Sequence, residues 1–289
     1  MYIKMSKRIV SIGLPVYNGE NYIEKTLKCL TQQSYKNIEI LISDNASTDK
    51  TAEICDYFAS MDKRVKFFRN KINRGATWNY NYVFYKSKGE YFKWAAHDDL
   101  ISKFFIEKCI QILDNNPDIL LCHSKILEID ENDNFIKTYP SRNYHHNNTV
   151  RRVFEYFKRP HAQCAVFGVF RSSALSKTRL IESFYQADRV LIAEILLRGF
   201  VFQIPEYLFF KRSHPNQHWK IHNTKSKTIE WYDPNIKLRK VFTHWRLLKE
   251  YCISINRSPL ANKDNYLCNL LIIYWIRKNY SSLFKNIFY

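Results

Sequence analysis

The sequence predicts an α/β protein, a mostly parallel sheet flanked by helices with a helical C-terminal extension. Three observations carry that expectation. Between about residues 8 and 130, apolar strand-like runs alternate with amphipathic helix-like segments, the pattern of a parallel sheet covered by helices. The adjacent carboxylates Asp98 and Asp99 close an apolar-aromatic run, Tyr91-Phe92-Lys93-Trp94-Ala95-Ala96-His97, at the kind of strand end where open α/β sheets bind ligands. Beyond Asn216 the chain becomes basic, aromatic and helical in pattern.

Taken in order, strands are expected over residues 9–14, 38–43, 65–69, 91–94 and 119–129. Between them, residues 22–33 carry Ile23, Leu27 and Leu30 at helical spacing, and residues 51–60 carry Ile54, Tyr57 and Phe58. Residues 73–87 supply a third helix, and 100–113 look helical. The polar stretch 132–148, with Pro140 and clustered Asn and His, reads as a flexible loop beside the site. A mostly buried helix is expected over 187–199, ended by Gly199, with short strands at 200–204 and 208–210 around Pro205. The tail holds Lys237-Leu238-Arg239-Lys240, Trp245-Arg246-Leu247-Leu248-Lys249 and residues 270–276 flanked by Arg277 and Lys278. It reads either as an amphipathic element on a membrane surface or, more simply, as a helical pair packed on the core with a solvated basic face.

With 289 residues, 46% of them hydrophobic, the chain can bury a sizeable core without covalent staples. The 45 Lys and Arg against 27 Asp and Glu leave a net charge of +18, so polyanions and anionic membrane surfaces are both plausible partners. Seven Cys residues form no CxxC pair, and their odd number does not suggest a closed disulfide framework; buried thiols in a reducing compartment follow. The early apolar run 9–14 lacks the length and cleavage pattern of a signal peptide, and no run reaches the ~18 apolar residues of a spanning helix. A cytoplasmic protein is expected.

Two adjacent carboxylates stay ionised together only with water, a cation or a hydrogen-bonded partner. Asp98-Asp99 could hold a hard divalent cation together with the phosphate oxygens of a nucleotide. The alternative is a helix N-cap ahead of residues 100–113, a boundary at which Asp is favoured.

The ordered set Pro15-Val16-Tyr17-Asn18, Asp44-Asn45-Ala46-Ser47-Thr48-Asp49, Asn73-Arg74-Gly75 and Asp98-Asp99 resembles family 2 glycosyltransferases of the GT-A fold. The likeness covers about residues 8–130 and continues more weakly to 218. It implies a glycosyltransferase domain over 1–218, with a nucleotide-sugar half at about 8–130 and an acceptor half at about 131–218, followed by an extension over 219–289. By this resemblance Pro15, Tyr17 and Asn18 line a base and ribose pocket. Asp44, an acceptor-only group, would take the imide N–H of uracil or thymine, which suits a UDP- or dTDP-sugar. Ser47, Thr48 and Asp49 look more like caps for the next helix. Arg74 would approach the base or phosphate.

The same resemblance assigns Asp98 to the ribose and Asp99 to a divalent cation, Mg2+ or Mn2+, bridging the diphosphate. Many relatives carry a further acid where Ala96 stands here, so the acidic cluster is thin; His97 reads as structural. Asp188 matches the late acidic motif whose carboxylate takes the proton of the attacking hydroxyl, with Glu194 a weaker candidate. In Phe210-Lys211-Arg212-Ser213-His214, which resembles the R-x-H element, Arg212 would hold the diphosphate and His214 the metal or leaving group. The implied activity is inverting, metal-dependent sugar transfer to a glycan or lipid-linked acceptor, in surface polysaccharide synthesis at the inner face of a membrane.

Two rivals stand beside it. A nucleotidyltransferase should carry a basic, glycine-rich phosphate loop after its first strand, which residues 13–19 lack. A noncatalytic glycan- or nucleic-acid-binding protein would not require this ordered acidic set.

Overall fold

The computed structural model describes residues 8–141, 144, 146–158, 163–217, 225–235 and 242–288. The first half alternates β1 (Val10–Val16), α1 (Ile23–Thr31), β2 (Ile38–Asp44), α2 (Thr51–Met61), β3 (Val65–Arg69), α3 (Ala76–Tyr85) and β4 (Tyr91–Trp94). Then come β5 (Leu100–Ile101), α4 (Phe105–Asn115), β6 (Ile119–Ile129), β7 (Phe135–Thr138) and α5 (Thr149–Lys158). A 3-10 turn (Gln163–Phe167), β8 (Val169–Arg171), α6 (Ser172–Leu175), α7 (Ala187–Arg198) and β9 (Phe200–Arg212) follow. The described remainder is helical: α8 (Lys225–Tyr232), α9 (Thr243–Arg257), α10 (Asn262–Lys278) and α11 (Tyr280–Phe288).

The strands form one sheet in the order β3-β2-β1-β4-β8-β6-β9-β5, with β7 beside β6. The first four run parallel. Every residue of β1 and β2 is buried, because helices cover both faces, and such strands read as unbroken apolar runs. The chain leaves β1 toward β2 on one side and later returns as β4 on the other. That reversal opens a crevice beyond the carboxyl ends of β1 and β4, where residues 15–19 and 95–99 meet.

One apolar cluster fills the face covered by α1, α2 and α4; the other lies between the sheet and α3, α5 and α7. Leu247, Tyr251 and Ile255 of α9 and Cys268, Ile272 and Trp275 of α10 belong to this second cluster, so the C-terminal helices share a core with α7. The basic run 237–240 lies outside the described residues.

Three expectations change, and β4 adds a feature not foreseen. Leu100 and Ile101 form a strand antiparallel to Phe210 and Phe209 of β9, and α4 starts only at Phe105. Asp98 and Asp99 therefore precede a strand, and the helix-cap reading of the pair falls. Part of the polar stretch after 132 is also strand: β7 pairs with β6 through a turn in which the Asp130 carboxylate accepts the amides of Asn132 and Asn134, both at 2.8 Å. The two strands expected around Pro205 are one, since β6 pairs Ser124 with Ile204 and Lys125 with Tyr207, bulging out Pro205, which has no amide to offer the ladder. Lastly, β4 buries a lysine. Lys93 is 1% exposed, donates to the carbonyls of Trp94 and Phe167, and lies near the rings of Phe105 and Phe209; burial lowers its pKa to about 8.

Asn79 of α3 locks the crevice end of the sheet. Its Oδ1 accepts the Ser43 hydroxyl at 2.5 Å, and its Nδ2 donates to the carbonyls of Ser43 at 2.9 Å and Val16 at 3.3 Å. Asn79→Ala would strand these buried groups, and we expect a loss of about 1–3 kcal/mol, seen as a lower urea midpoint at unchanged slope.

Candidate active site

A cavity of about 800 Å3 opens at this crevice. One wall is Pro15, Val16, Tyr17 and Asn18 with Asn45, Asn73 and Asn79; another is Ala96 to Asp99 with Lys211 and His214; Glu230 and Trp231 of α8 also line it.

The end of the cavity at residues 15–18 is built from three loops laced together. Asn18, left-handed at φ 51°, donates its amide to Ser47 Oγ at 2.8 Å and accepts the Thr48 amide on Oδ1 at 2.9 Å. Asp49 accepts the amides of Glu20 at 3.1 Å and Thr51 at 3.0 Å, so it joins the loops and caps the start of α2. Asn45 grips the third loop: Oδ1 accepts the Arg74 amide at 3.0 Å, while Nδ2 donates to Asn73 Oδ1 at 2.8 Å and the Gly75 carbonyl at 3.2 Å. Gly75 must be glycine, since its φ is 83° and a Cβ would lie 2.5 Å from the Tyr232 carbonyl. That close approach is what seats α8 beside the cavity.

Two clamps hold the acidic pair. From α1, the Thr26 hydroxyl donates to the carbonyls of His97 at 2.8 Å and Asp99 at 3.2 Å. From the end of β9, the Arg212 amide donates to Asp99 Oδ1 at 2.9 Å, and its guanidinium donates to the carbonyls of Asp98, Asp130 and Glu131. The same guanidinium pairs with Asp133 at 2.5 Å and covers the Tyr22 ring.

Of the residues singled out in the sequence, Pro15, Tyr17, Asn18, Asp98, Asp99 and His214 line the cavity. Arg212 does not: it is 0% exposed and engaged with the protein itself, which corrects its assignment to the diphosphate. Arg74 lies over the Trp78 ring at 4.7 Å, exposed, and is not itself a lining residue, although Asn73 before it is. Asp44 is fully buried behind the wall; Oδ1 accepts the Ser47 amide, and Oδ2 has no hydrogen-bond donor beyond a 3.4 Å approach of Arg69 Nε. His214 turns Nε2 to Asp98 Oδ2 at 2.9 Å and leans on Tyr22, so it serves Asp98 and not Asp99. Asp188, in the first turn of α7, is partly buried and not a lining residue, yet its charge raises the pKa of Tyr80 and Cys164, which are. Glu194 is buried in ion pairs with Arg198 and Arg257 and is not a base for this cavity.

The electrostatics split the pair. Burial disfavours the charge on Asp98, but His97 and the hydrogen bond to His214 hold its pKa below the carboxylate range. Burial and the adjacent Asp98 push Asp99 well above it, against the pull of the Arg212 amide, Lys211 and Lys93. Burial also raises Asp188, to about 6, with Arg189 and the first amides of α7 opposing.

No cluster of three His, Cys, Asp or Glu that could hold a metal exists among the described residues. The donor set nonetheless fits a hard cation completed by phosphate oxygens: Asp99 lines the cavity, and its carboxylate accepts the Arg212 backbone amide at 2.9 Å, which brings no charge to it. A divalent cation would relieve the cost of ionising it.

Lys211 was overlooked in the sequence: strand alternation puts it and Arg212 on opposite faces but does not say which face meets the cavity. It is the one Lys or Arg among the lining residues described. Burial opposes its charge, but Cys164, Tyr139 and Glu128 hold its pKa above the ordinary lysine value. Asn79, Glu230 and Trp231 were overlooked too, having no local pattern that marks them.

The profile of glycosyl transferase family 2 matches residues 11–178. An uncharacterized glycosyltransferase of Methanocaldococcus jannaschii is 25% identical over 255 residues, 87% of this chain and 84% of its own. A Rickettsia typhi glycosyltransferase, also uncharacterized, is 39% identical over a shorter stretch of 123 residues, 42% of this chain and 37% of its own. Among solved structures, Staphylococcus aureus TarS residues 1–349 in complex with UDP-GlcNAc superposes with a TM-score of 0.69 at 15% identity, over 95% of this chain and 73% of that one. The Pyrobaculum calidifontis mannosyltransferase PcManGT, in complex with GDP-Man and Mn2+, gives 0.61 at 16% identity, over 97% and 73%. At such identities the likeness is one of fold, and the fold is GT-A.

Replacing Arg212 with Met should leave the carbonyls of Asp98, Asp130 and Glu131 without that donor and remove the clamp on the acidic pair. We expect a loss of about 1–3 kcal/mol, visible as a lower midpoint in chemical denaturation.

Proposed function

The chain belongs to glycosyl transferase family 2 and is a glycosyltransferase, and from that premise we propose that it transfers a sugar, with inversion, from a UDP- or dTDP-sugar to a hydroxyl of a glycan or lipid-linked acceptor. The observation that carries this reading is the cavity itself, which joins the laced 15–18 loop at one end to the clamped pair Asp98-Asp99 and Lys211 at the other. Asp44 lies buried behind the wall with Oδ2 3.4 Å from Arg69 Nε, so the pyrimidine base in this reading is supported by the family resemblance and not by an open acceptor in the cavity. The pyrimidine choice is tested by a donor screen, in which a bound nucleotide sugar raises thermal stability by mass action.

In this reading Tyr17 and Asn18 face the base and ribose, and Asp98, held ionised and aimed by His214, accepts from the ribose hydroxyls. Asp99, with Asp98 beside it, would hold a divalent cation, which supplies charge neutralisation for the departing diphosphate when bound. Lys211 meets the same diphosphate directly, taking the place first given to Arg212. Asp188 takes the proton from the acceptor hydroxyl as its oxygen bonds to the anomeric carbon. The anomeric C–O bond breaks on the opposite side, and its electron pair leaves on the diphosphate. An α-linked donor gives a β-linked glycoside. The domain proposed for this chemistry is residues 1–218, with 219–289 an extension that braces it. Surface polysaccharide assembly at the inner face of a membrane is the setting this reading suggests.

A base must be deprotonated to act, so kcat/KM should fall as pH drops through about 6, where Asp188 takes up its proton. Asp188→Asn should remove that limb and lower turnover by about 10²–10⁴-fold with the fold intact; near-normal turnover would sink the base assignment.

Lys211→Met should lower kcat by about 10²-fold and weaken binding of the nucleoside diphosphate more than of the nucleoside monophosphate, with partial recovery in Lys211→Arg. Equal weakening of both nucleotides would count against a diphosphate contact.

A further inference from the structure

α10 is apolar on both faces. Cys268, Ile272 and Trp275 turn inward and are buried. On the outward side Tyr266, Leu270, Ile273, Arg277, Tyr280 and Phe284 recur at alternating intervals of four and three residues, crossing from α10 into α11 with only Asn279 between the helices. Their apolar members are exposed: Tyr266 by 64%, Leu270 by 42%, Ile273 by 51%, Tyr280 by 58% and Phe284 by 45%. A helix that is hydrophobic all round is ordinarily buried all round, so a single line of large apolar side chains left in water asks for something to cover it.

The charge around the stripe says what. Among the described residues from 262 to 284, the exposed charged ones are Lys263, Arg277 and Lys278, and the one acid, Asp264, is half-buried. Two exposed aromatics, Phe242 and Trp245 at the start of α9, extend the face, and Trp245 donates its indole N–H to the Leu283 carbonyl of α11 at 3.2 Å. Aromatic rings beside Lys and Arg at the edge of an apolar strip suit the headgroup zone of an anionic bilayer. A second copy of the chain suits it less, because it would bring another cationic face with no acid to pair. No helix among the described residues is long and apolar enough to cross a membrane, so the face would lie on the surface.

We propose that the outer face of α10 and α11, extended by Phe242 and Trp245, docks the protein on an anionic lipid surface. The apolar stripe enters the acyl boundary, and Lys263 and Arg277 reach the phosphates. This goes beyond the transfer reaction and rests on none of the cavity residues.

Sedimentation of the full chain with vesicles tests it, using phosphatidylcholine alone against equal parts phosphatidylcholine and phosphatidylglycerol. The expected result is binding to the mixed vesicles at least about tenfold tighter than to the neutral ones, weakened by salt. In the double variant Leu270→Glu, Ile273→Glu that binding should fall at least about tenfold while the melting temperature and transfer to a soluble acceptor are kept, because both positions are exposed and remote from the cavity lining. Equal binding to both vesicle types, or unchanged binding by the variant, overturns the proposal. So does a concentration-dependent dimer in light scattering that the same variant disperses, which would make the face an interface between copies.

Discussion

A guanidinium without water must donate to something, and the buried guanidinium of Arg212 satisfies itself on the parts of the chain that the site depends on. It draws the backbone at Asp98, the turn at Asp130 and Glu131, and the side chain of Asp133 to one point at the end of β9. Its own amide then fixes Asp99. Three segments distant in sequence, the β4 end, the β6–β7 turn and the β9 end, are thereby registered against one another. The planar, always-charged fork of arginine suits this, since several carbonyls at fixed angles can be met by one rigid group. The acidic pair lies on a loop, yet it is held as firmly as a strand.

That rigidity has an electrostatic consequence. Adjacent carboxylates would ordinarily share their burden, but here the surroundings are unequal, and the two are driven apart. Asp98 has His97 and His214 to keep it charged, whereas Asp99 has only an amide and two more distant lysines, Lys93 and Lys211. One carboxylate is thus settled before any ligand arrives, and the other is left wanting positive charge. On the proposed reading, a site that admits an anionic diphosphate is coherent only if cations enter the balance, and Lys211 together with a divalent ion at Asp99 would supply them. The net charge of +18 is in part a separate matter, since exposed Lys263 and Arg277 mark the tail face, away from the cavity lining.

Much of this architecture is legible in the residue order. The strands at 91–94 and 119–129 stand where apolar runs put them, because both are buried on nearly every residue, and the half-exposed edge strand at 65–69 also stands where it was expected. The loops that line the cavity at residues 15–18 are marked by short polar motifs whose side chains hydrogen-bond locally. Where periodicity misled, a distant partner was the cause. Leu100 and Ile101 look like the first turn of a helix until β9 offers them a strand edge, and Phe135 to Thr138, though aromatic and β-branched, are a short run inside a polar stretch until β6 pairs with them.

What the sequence by itself determined, then, is the α/β class, the parallel order of the first half and the identity of the carboxylates at its crevice, because these follow from patterns within a few residues. Which side chains face the cavity was decided only by the tertiary structure. Arg212 and Lys211 are adjacent and alike in charge, and nothing local says which is swallowed to brace the loop and which is left for a ligand. The answer depends on carbonyls more than 80 residues away in sequence that need a donor. Similarly, the stripe from Tyr266 to Phe284 and the buried face of α10 are equally apolar in sequence, and only the packing of α5 and α9 against one of them leaves the other bare.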